Sequence, residues 1–211
     1  MKNKLLIATS LTSVLLICSA QAAAVTDWVF TNNNGNPAQF SGTSADTASP
    51  SLTNGVGGTV IAANFSSVTL VDGDSLTLAG SFSIDTALGN NLFRWGMFDG
   101  DNPVTAGDGQ GYSGIYAGAS TDTAAGDLVL TDGTATNPFS SSQSTSFSGS
   151  MSAGGEPTAN TLLDFELILT RNGSNMDISA SITDGGSYTS SHSLTNQSVG
   201  SLYTYDSAAF L

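Results

Sequence analysis

Cysteine, histidine and cationic residues are scarce in this chain of 211 residues. It has one Cys, one His and four Lys plus Arg, set against 17 Asp plus Glu. A single cysteine excludes an internal disulfide framework, and a single histidine excludes a zinc site built on a His pair. The shortage of cations excludes nucleic acid as a partner, because no basic patch is present to displace counterions from phosphates. Anionic membrane surfaces are disfavoured on the same ground. No Gly-x-Ser-x-Gly elbow occurs, so the serine-hydrolase nucleophile turn is missing as well. Long apolar runs are confined to Leu5–Ile17.

That run decides the compartment. Lys2 and Lys4 precede it, and the small-x-small triplet Ala20-Gln21-Ala22 follows it. This is the layout of a secretory signal peptide over residues 1–22, too short for a spanning helix. Cys18 sits behind Ile17, where a lipobox needs a small residue, so lipidation is not expected. Cleavage after Ala22 leaves a mature chain without cysteine. It also removes both lysines, so Arg94 and Arg171 stand alone against all the carboxylates. The expected product is secreted or extracellular, acidic, free of an integral membrane segment, and held together by packing and backbone hydrogen bonds alone. An acidic surface of this kind suits a cation-rich medium and also favours solubility.

From residue 23 onward the pattern is that of one all-β domain, with no internal repeat. Five Asp-Gly steps begin at Asp72, Asp99, Asp108, Asp132 and Asp184, and three Asn-Gly steps at Asn34, Asn54 and Asn172. Such pairs tolerate positive φ and close tight turns. Between them lie short β-branched and aromatic runs, which predict an antiparallel β-sandwich or barrel. The clearest hairpin runs from Leu163 to Ile182 around Asn172-Gly173-Ser174-Asn175, with period-two alternation on both arms, and Tyr188–Leu194 extends it to a meander. Ser67–Val71 and Leu76–Ile84, on either side of Asp72-Gly73-Asp74, predict a second hairpin. Leu92–Phe98 predicts a central strand, Gly111–Tyr116 and Leu128–Thr131 its successors, and Trp28–Thr31 with Val60–Phe65 the opening strands. Residues 43–58 and 134–157 read as loops. The closing Ala208-Ala209-Phe210-Leu211 reads as the start of a strand, expected either in a fragment lacking a C-terminal strand or sorting tail or in a chain that ends on an edge strand.

Asn91-Leu92-Phe93-Arg94-Trp95-Gly96-Met97-Phe98-Asp99-Gly100, followed by Gly111-Tyr112-Ser113-Gly114-Ile115-Tyr116, resembles a strand pair of secreted bacterial concanavalin A-like (LamG-like) jelly-roll domains, many of them in proteins with a PEP-CTERM sorting tail. Leu169–Ser174 and the Tyr203–Asp206 run fit the same pattern, and the resemblance extends from about Trp28 to the end. It implies a two-sheet jelly roll in a glycan-related setting.

The chemistry-bearing residues support binding better than catalysis. Trp95, Tyr112 and Tyr116 offer rings for the C–H faces of sugars, Arg94 a planar donor fork, and Glu166 and His192 further polar contacts. The competing reading of Trp95 is core packing with Phe93 and Met97, and of Arg94 an ion pair with a carboxylate such as Glu166. Asp99, Asp101 and Asp108 cluster oxygen ligands in one loop suited to calcium. For a hydrolase, Asp164-Phe165-Glu166 is the only close carboxylate pair on a strand, but Leu162 and Leu167 stand where the Glu-x-Asp-x-x-Glu pattern of laminarinase-type enzymes needs Glu. For a lyase, His192, Arg94 and Tyr188 have suitable chemistry at unhelpful sequence separations. The expectation is non-catalytic recognition of extracellular polysaccharide, with a structural or adhesive exoprotein as the alternative and an unrecognised polysaccharide lyase or hydrolase third. Exposed aromatics would favour recognition; a buried Trp95 and flat Ser/Thr faces would favour the structural role.

Overall fold

A computed structural model describes residues 14–18, 21–25, 29–32, 59–83, 92–100, 112–120, 127–135, 139, 144–147, 152–154, 161–186 and 188–211. The described residues form fourteen strands. They are β1 (Val14–Cys18), β2 (Gln21–Val25), β3 (Val29–Asn32), β4 (Thr59–Thr69), β5 (Ser75–Ser83), β6 (Leu92–Asp99) and β7 (Tyr112–Ser120). After these come β8 (Leu128–Ala135), β9 (Ser144–Ser146), β10 (Ser152–Gly154), β11 (Leu162–Asn172), β12 (Asn175–Thr183), β13 (Thr189–Ser198) and β14 (Thr204–Phe210). They make two seven-stranded antiparallel sheets. Sheet A runs β10-β13-β12-β11-β5-β1-β2 and sheet B runs β3-β4-β14-β6-β7-β8-β9. The sheets pack face to face, as the alternating sequence predicts: an all-β sandwich.

The core lies between the sheets because strands such as β11 and β12 bury every second residue on their inner face, while the central strands β6, β7 and β14 are buried on both faces. Leu163, Phe165, Leu167 and Leu169 of β11 meet Met176, Ile178, Ala180 and Ile182 of β12 on the inner face of sheet A. Trp95, Met97, Ile115, Ala117 and Leu128 answer from sheet B. Aromatic rings knit the layers together: Phe82 of β5 stacks on Phe93 of β6 at 4.1 Å, and Phe165 meets Phe210 of β14 edge-on at 5.1 Å.

The meander β11-β12-β13 follows its predicted turns. Asn172 pairs with Asn175 across a turn whose Gly173 has φ 62°, a left-handed conformation that glycine adopts without strain. The second predicted hairpin is a correction. β4 and β5 flank the Asp72-Gly73-Asp74 turn as expected, yet they lie in different sheets. The turn closes through Asp74 N on the Val71 carbonyl at 3.0 Å and is bound to β11 as well: Gly73 N donates to the Arg171 carbonyl at 2.9 Å, and Arg171 N to the Asp74 carbonyl at 2.9 Å. Those bonds carry the chain across the sandwich.

Two other expectations change. The segment read as a loop over 134–157 contains β9 and β10, which edge the two sheets. Phe210, read as part of an opening strand, instead closes β14, a central strand paired with both β4 and β6. Residues 43–58, also read as a loop, lie outside the described residues. Within the expected leader, β1 pairs with β5 and with β2, which straddles the leader's expected end.

Candidate functional site

The sequence candidates separate into different layers of the sandwich. Trp95 is fully buried between the sheets, and its indole Nε1 donates to the backbone carbonyl of Glu166 at 3.2 Å. Its neighbours are Phe93 at 5.5 Å and Phe165 at 6.2 Å. A ring with no exposed surface cannot stack on a sugar, so the core reading of Trp95 holds and the platform reading falls.

Arg94 points the other way, onto the outer face of sheet B. Its guanidinium lies 5.5 Å from the Tyr116 ring centroid and donates to the Phe139 carbonyl at 3.3 Å. Glu166 lies on the outer face of sheet A, between the buried Phe165 and Leu167. The expected Arg94–Glu166 pair is therefore not formed: the two side chains point away from each other on opposite faces of the sandwich. What links Glu166 to sheet B is its backbone oxygen on Trp95.

Arg94 and Tyr116 are the two candidates the fold does bring together, and the reason is local. On this face β6 and β7 alternate glycine with larger residues, pairing Gly96 with Tyr116, Phe98 with Gly114, and Arg94 with Gly118. The bare backbone at Gly114 lets the Phe98 ring lie flat on the sheet; a Cβ there would overlap Phe98 Cδ1 and stand 2.5 Å from the Met97 carbonyl. Phe139 then caps both neighbours edge-on, Phe98 at 5.5 Å and Tyr116 at 5.2 Å. Tyr116 is only 3% exposed, so this is a second small apolar cluster and not an open aromatic platform.

The remaining candidates stand apart. Tyr112 opens β7 opposite Ala135, with its side chain outside the described set. His192 is half-buried on the inner face of β13, opposite Ala180, and follows the buried Ser190, whose Oγ has no partner among the described residues. Tyr188 is buried at the start of the same arm, with its hydroxyl pKa raised by burial and by the nearby Asp184. The lyase set His192, Arg94 and Tyr188 is thus split between the two sheets. The hydrolase set fares no better. Asp164 and Glu166 share the outer face of sheet A, but their cross-strand neighbours are Ser81, Thr183, Ala79 and Ser181, which bring no second carboxylate.

Asp99 is exposed at the end of β6, while Asp101 and Asp108 lie outside the described residues. Among the described residues, no group of three His, Cys, Asp or Glu could hold a metal ion. Asp99, Ser113, Thr131 and Ser201 rim a shallow depression of about 250 Å³ floored by Leu130, Val199 and Leu202. That is below the usual range for a small-molecule pocket, about 300–1,000 Å³. Tyr205 is buried, and desolvation, with Asp99 and Tyr203 adding to it, pushes its phenol pKa far up.

The surface is most regular on the outer face of sheet A. There, short hydroxyl side chains pair across strands: Ser75 with Thr170 at 2.7 Å, Ser179 with Ser193 at 2.9 Å, and Thr183 with Thr189 at 2.9 Å. Each pair holds two hydroxyls in fixed positions without a charge. The sequence signal was the polar half of the strand alternation, read simply as solvent-facing. Arg171 was also passed over. It reaches the Leu70 carbonyl at 2.7 Å and the Gly173 carbonyl at 3.0 Å, and lies 3.9 Å over the Tyr203 ring. Its rarity was the available signal, since it is one of two arginines in the whole chain.

Among the described residues, no helix is long and apolar enough to cross a membrane. No protein-family model, curated protein or solved structure matches this chain.

Proposed function

We propose that this chain is a non-catalytic structural or adhesive domain of an exported protein, meeting hydroxyl-rich extracellular polymer through the broad outer face of sheet A. One observation carries the reading: beside the carboxylates of Asp164, Glu166 and Asp177, the cross-strand Ser and Thr pairs give that face a pre-ordered set of uncharged hydroxyls on four neighbouring strands. Hydroxyls fixed by one another lose little further freedom on contact, which suits many weak hydrogen bonds spread over an area. Pocketed sugar recognition had rested on the rings of Trp95, Tyr112 and Tyr116, of which Trp95 and Tyr116 are buried. The pairing of β6 with β7 supports the concanavalin A-like jelly-roll reading of the sandwich, and the leader supports secretion.

The test compares adsorption of the secreted protein to polysaccharide films with its binding of soluble oligosaccharides. Adsorption to films, weakened by Ser179→Glu and Ser193→Glu and unmatched by any soluble oligosaccharide, is the expected result. Stoichiometric binding of one oligosaccharide, or shortening of any polysaccharide, would overturn it, as would a folded protein that adsorbs to no film.

A further inference from the structure

The boundary between the expected leader and the mature domain falls on one strand edge. β5 is bonded along its length to β11, from Ser75 opposite Thr170 to Ser83 opposite Leu162. Its other edge pairs with β1: Leu76 with Cys18, Thr77 with Ile17, Leu78 with Leu16 and Ala79 with Leu15. β1 lies wholly within residues 1–22, so a cut after Ala22 removes it entire. β2, whose only partner in the sheet is β1, then keeps three residues and no neighbour. Among the described residues, the cut leaves that edge of β5 without a partner.

Natural sheets blunt their edges with short strands, charge or proline. The edge strands β3, β9 and β10 are four, three and three residues long. β5 has nine residues, Ser-Leu-Thr-Leu-Ala-Gly-Ser-Phe-Ser, with no charge and no proline. It has the sequence of an interior strand, and it becomes an edge only when the leader goes.

We infer that leader removal converts β5 into a pairing edge and that a second copy of the mature chain occupies it, β5 running antiparallel to β5 about a two-fold axis. Three features point to a second copy. The edge already takes an uncharged strand in antiparallel register. An antiparallel pair of identical strands is self-complementary, as a two-fold interface must be. In a chain so rich in carboxylates, β5 is a stretch where two copies meet without charge repulsion. Such a pair continues Leu76 and Leu78 along the cores and Thr77 along the outer faces, so the two A sheets become one.

The experiment starts from the full chain, prepared without export so that the leader stays attached, then cut with signal peptidase. Mass spectrometry locates the cut, and light scattering on a sizing column gives the mass in solution before and after. The expected result is one chain mass before the cut and two after. Thr77→Lys and Ala79→Lys are expected to stay at one chain mass after the cut, because like charges then meet across the pair. Hydrogen exchange covers the case in which those variants fail to fold: diluting the wild-type dimer must expose β5 amides ahead of those of other strands. The inference is overturned by a cut chain that remains single, whether its β5 amides are open or covered by its own residues 23–28. It is equally overturned by a dimer that survives both folded lysine variants, by dilution that exposes another strand first, or by a leader that the peptidase cannot remove.

Discussion

Replacing Gly114 by alanine isolates the packing of the outer face of sheet B. Gly114 has an ordinary strand backbone, so φ places no bar on a side chain. Considered alone, alanine in a strand interior is favoured over glycine by roughly 0.5–1 kcal/mol. The surroundings reverse the sign. The new Cβ would stand 2.5 Å from the Met97 carbonyl oxygen and inside the contact radius of Phe98 Cδ1. The Phe98 ring is held by Phe139 at 5.5 Å and is 1% exposed, so it has little room to swing away. The carbonyl belongs to the β6–β7 ladder and moves only if the strands part. Overpacking of this kind costs typically about 1–3 kcal/mol, and with a backbone atom in the clash a net loss of about 2–3 kcal/mol is expected. For a domain of this size that is a fall in Tm of roughly 4–12 °C. Gly118 supplies the control on the same strand and face: the nearest atoms to its added Cβ are Arg94 Cγ at 3.5 Å and the Asp127 carbonyl at 3.8 Å, ordinary contacts. Gly118→Ala should melt at or slightly above the wild type. Phe98→Leu in the Gly114→Ala background should recover part of the loss and no more, because the Met97 oxygen stays in place. The assay is thermal melting of the secreted chain, followed by circular dichroism. The reasoning is refuted if Gly114→Ala melts within about 1 °C of the wild type, or if Gly118→Ala falls as far.

Arg171→Lys should cost about 1–2 kcal/mol in urea unfolding, nearly as much as Arg171→Ala, because an ammonium cannot reach two carbonyls and also lie flat on Tyr203. Arg94→Ala should cost only about 1 kcal/mol, since what it loses is one long hydrogen bond and one ring contact and not a buried carboxylate partner; a loss of several kcal/mol would restore the ion-pair reading. Raised phenol pKa values make the fold alkali-sensitive. Unfolded tyrosine loses its proton near about pH 10, whereas burial, helped by Asp99 and Tyr203, keeps Tyr205 protonated in the folded chain. The folded state then binds more protons above that pH. The Tyr205 contribution is complete below it and falls as pH rises. Tm measured from about pH 8 to about pH 11 should drop at the alkaline end, less steeply in Tyr205→Phe.

The architecture was legible wherever alternation and a turn signal fell together. Leu163–Ile182 carries both, and its register around Asn172-Gly173 follows from the sequence alone. Ser67–Ile84 carries the same signals and misled, because nothing local distinguishes a turn closing a hairpin from one crossing between sheets. The difference lies in Arg171, about a hundred positions away, whose backbone binds both sides of the turn. β9 and β10 were illegible for another reason: strands of three residues from a Ser- and Gly-rich segment carry too few apolar positions to show a period. The closing Ala208-Ala209-Phe210 was recognised as strand, but its central place depends on β4 and β6, both far away in sequence.

The site was less legible than the fold because the same residue types serve sugar stacking and core packing. Trp95 satisfies both descriptions until the sandwich closes; then the decisive fact is a neighbour on the other sheet, the Glu166 carbonyl that takes its indole proton. Period-two alternation did separate Arg94 from Trp95 correctly, putting them on opposite faces. It could not show that the Arg94 face is itself covered, since the aromatic cap there comes from Phe139, forty-five positions on in a Ser-rich stretch. The buried aromatics among the described residues fall in two clusters, and what sheet A's outer surface orders, beside the carboxylates of Asp164, Glu166 and Asp177, is paired hydroxyls. Those side chains had been the least informative in the sequence, for a serine facing water carries no pattern of its own. Pairing across strands gives them one: Ser179 and Ser193 are fourteen residues apart, and only the register of β12 on β13 brings their oxygens to 2.9 Å. A contact surface made this way is a property of strand register, so a change that slips β13 by one residue would abolish it while leaving composition and charge untouched.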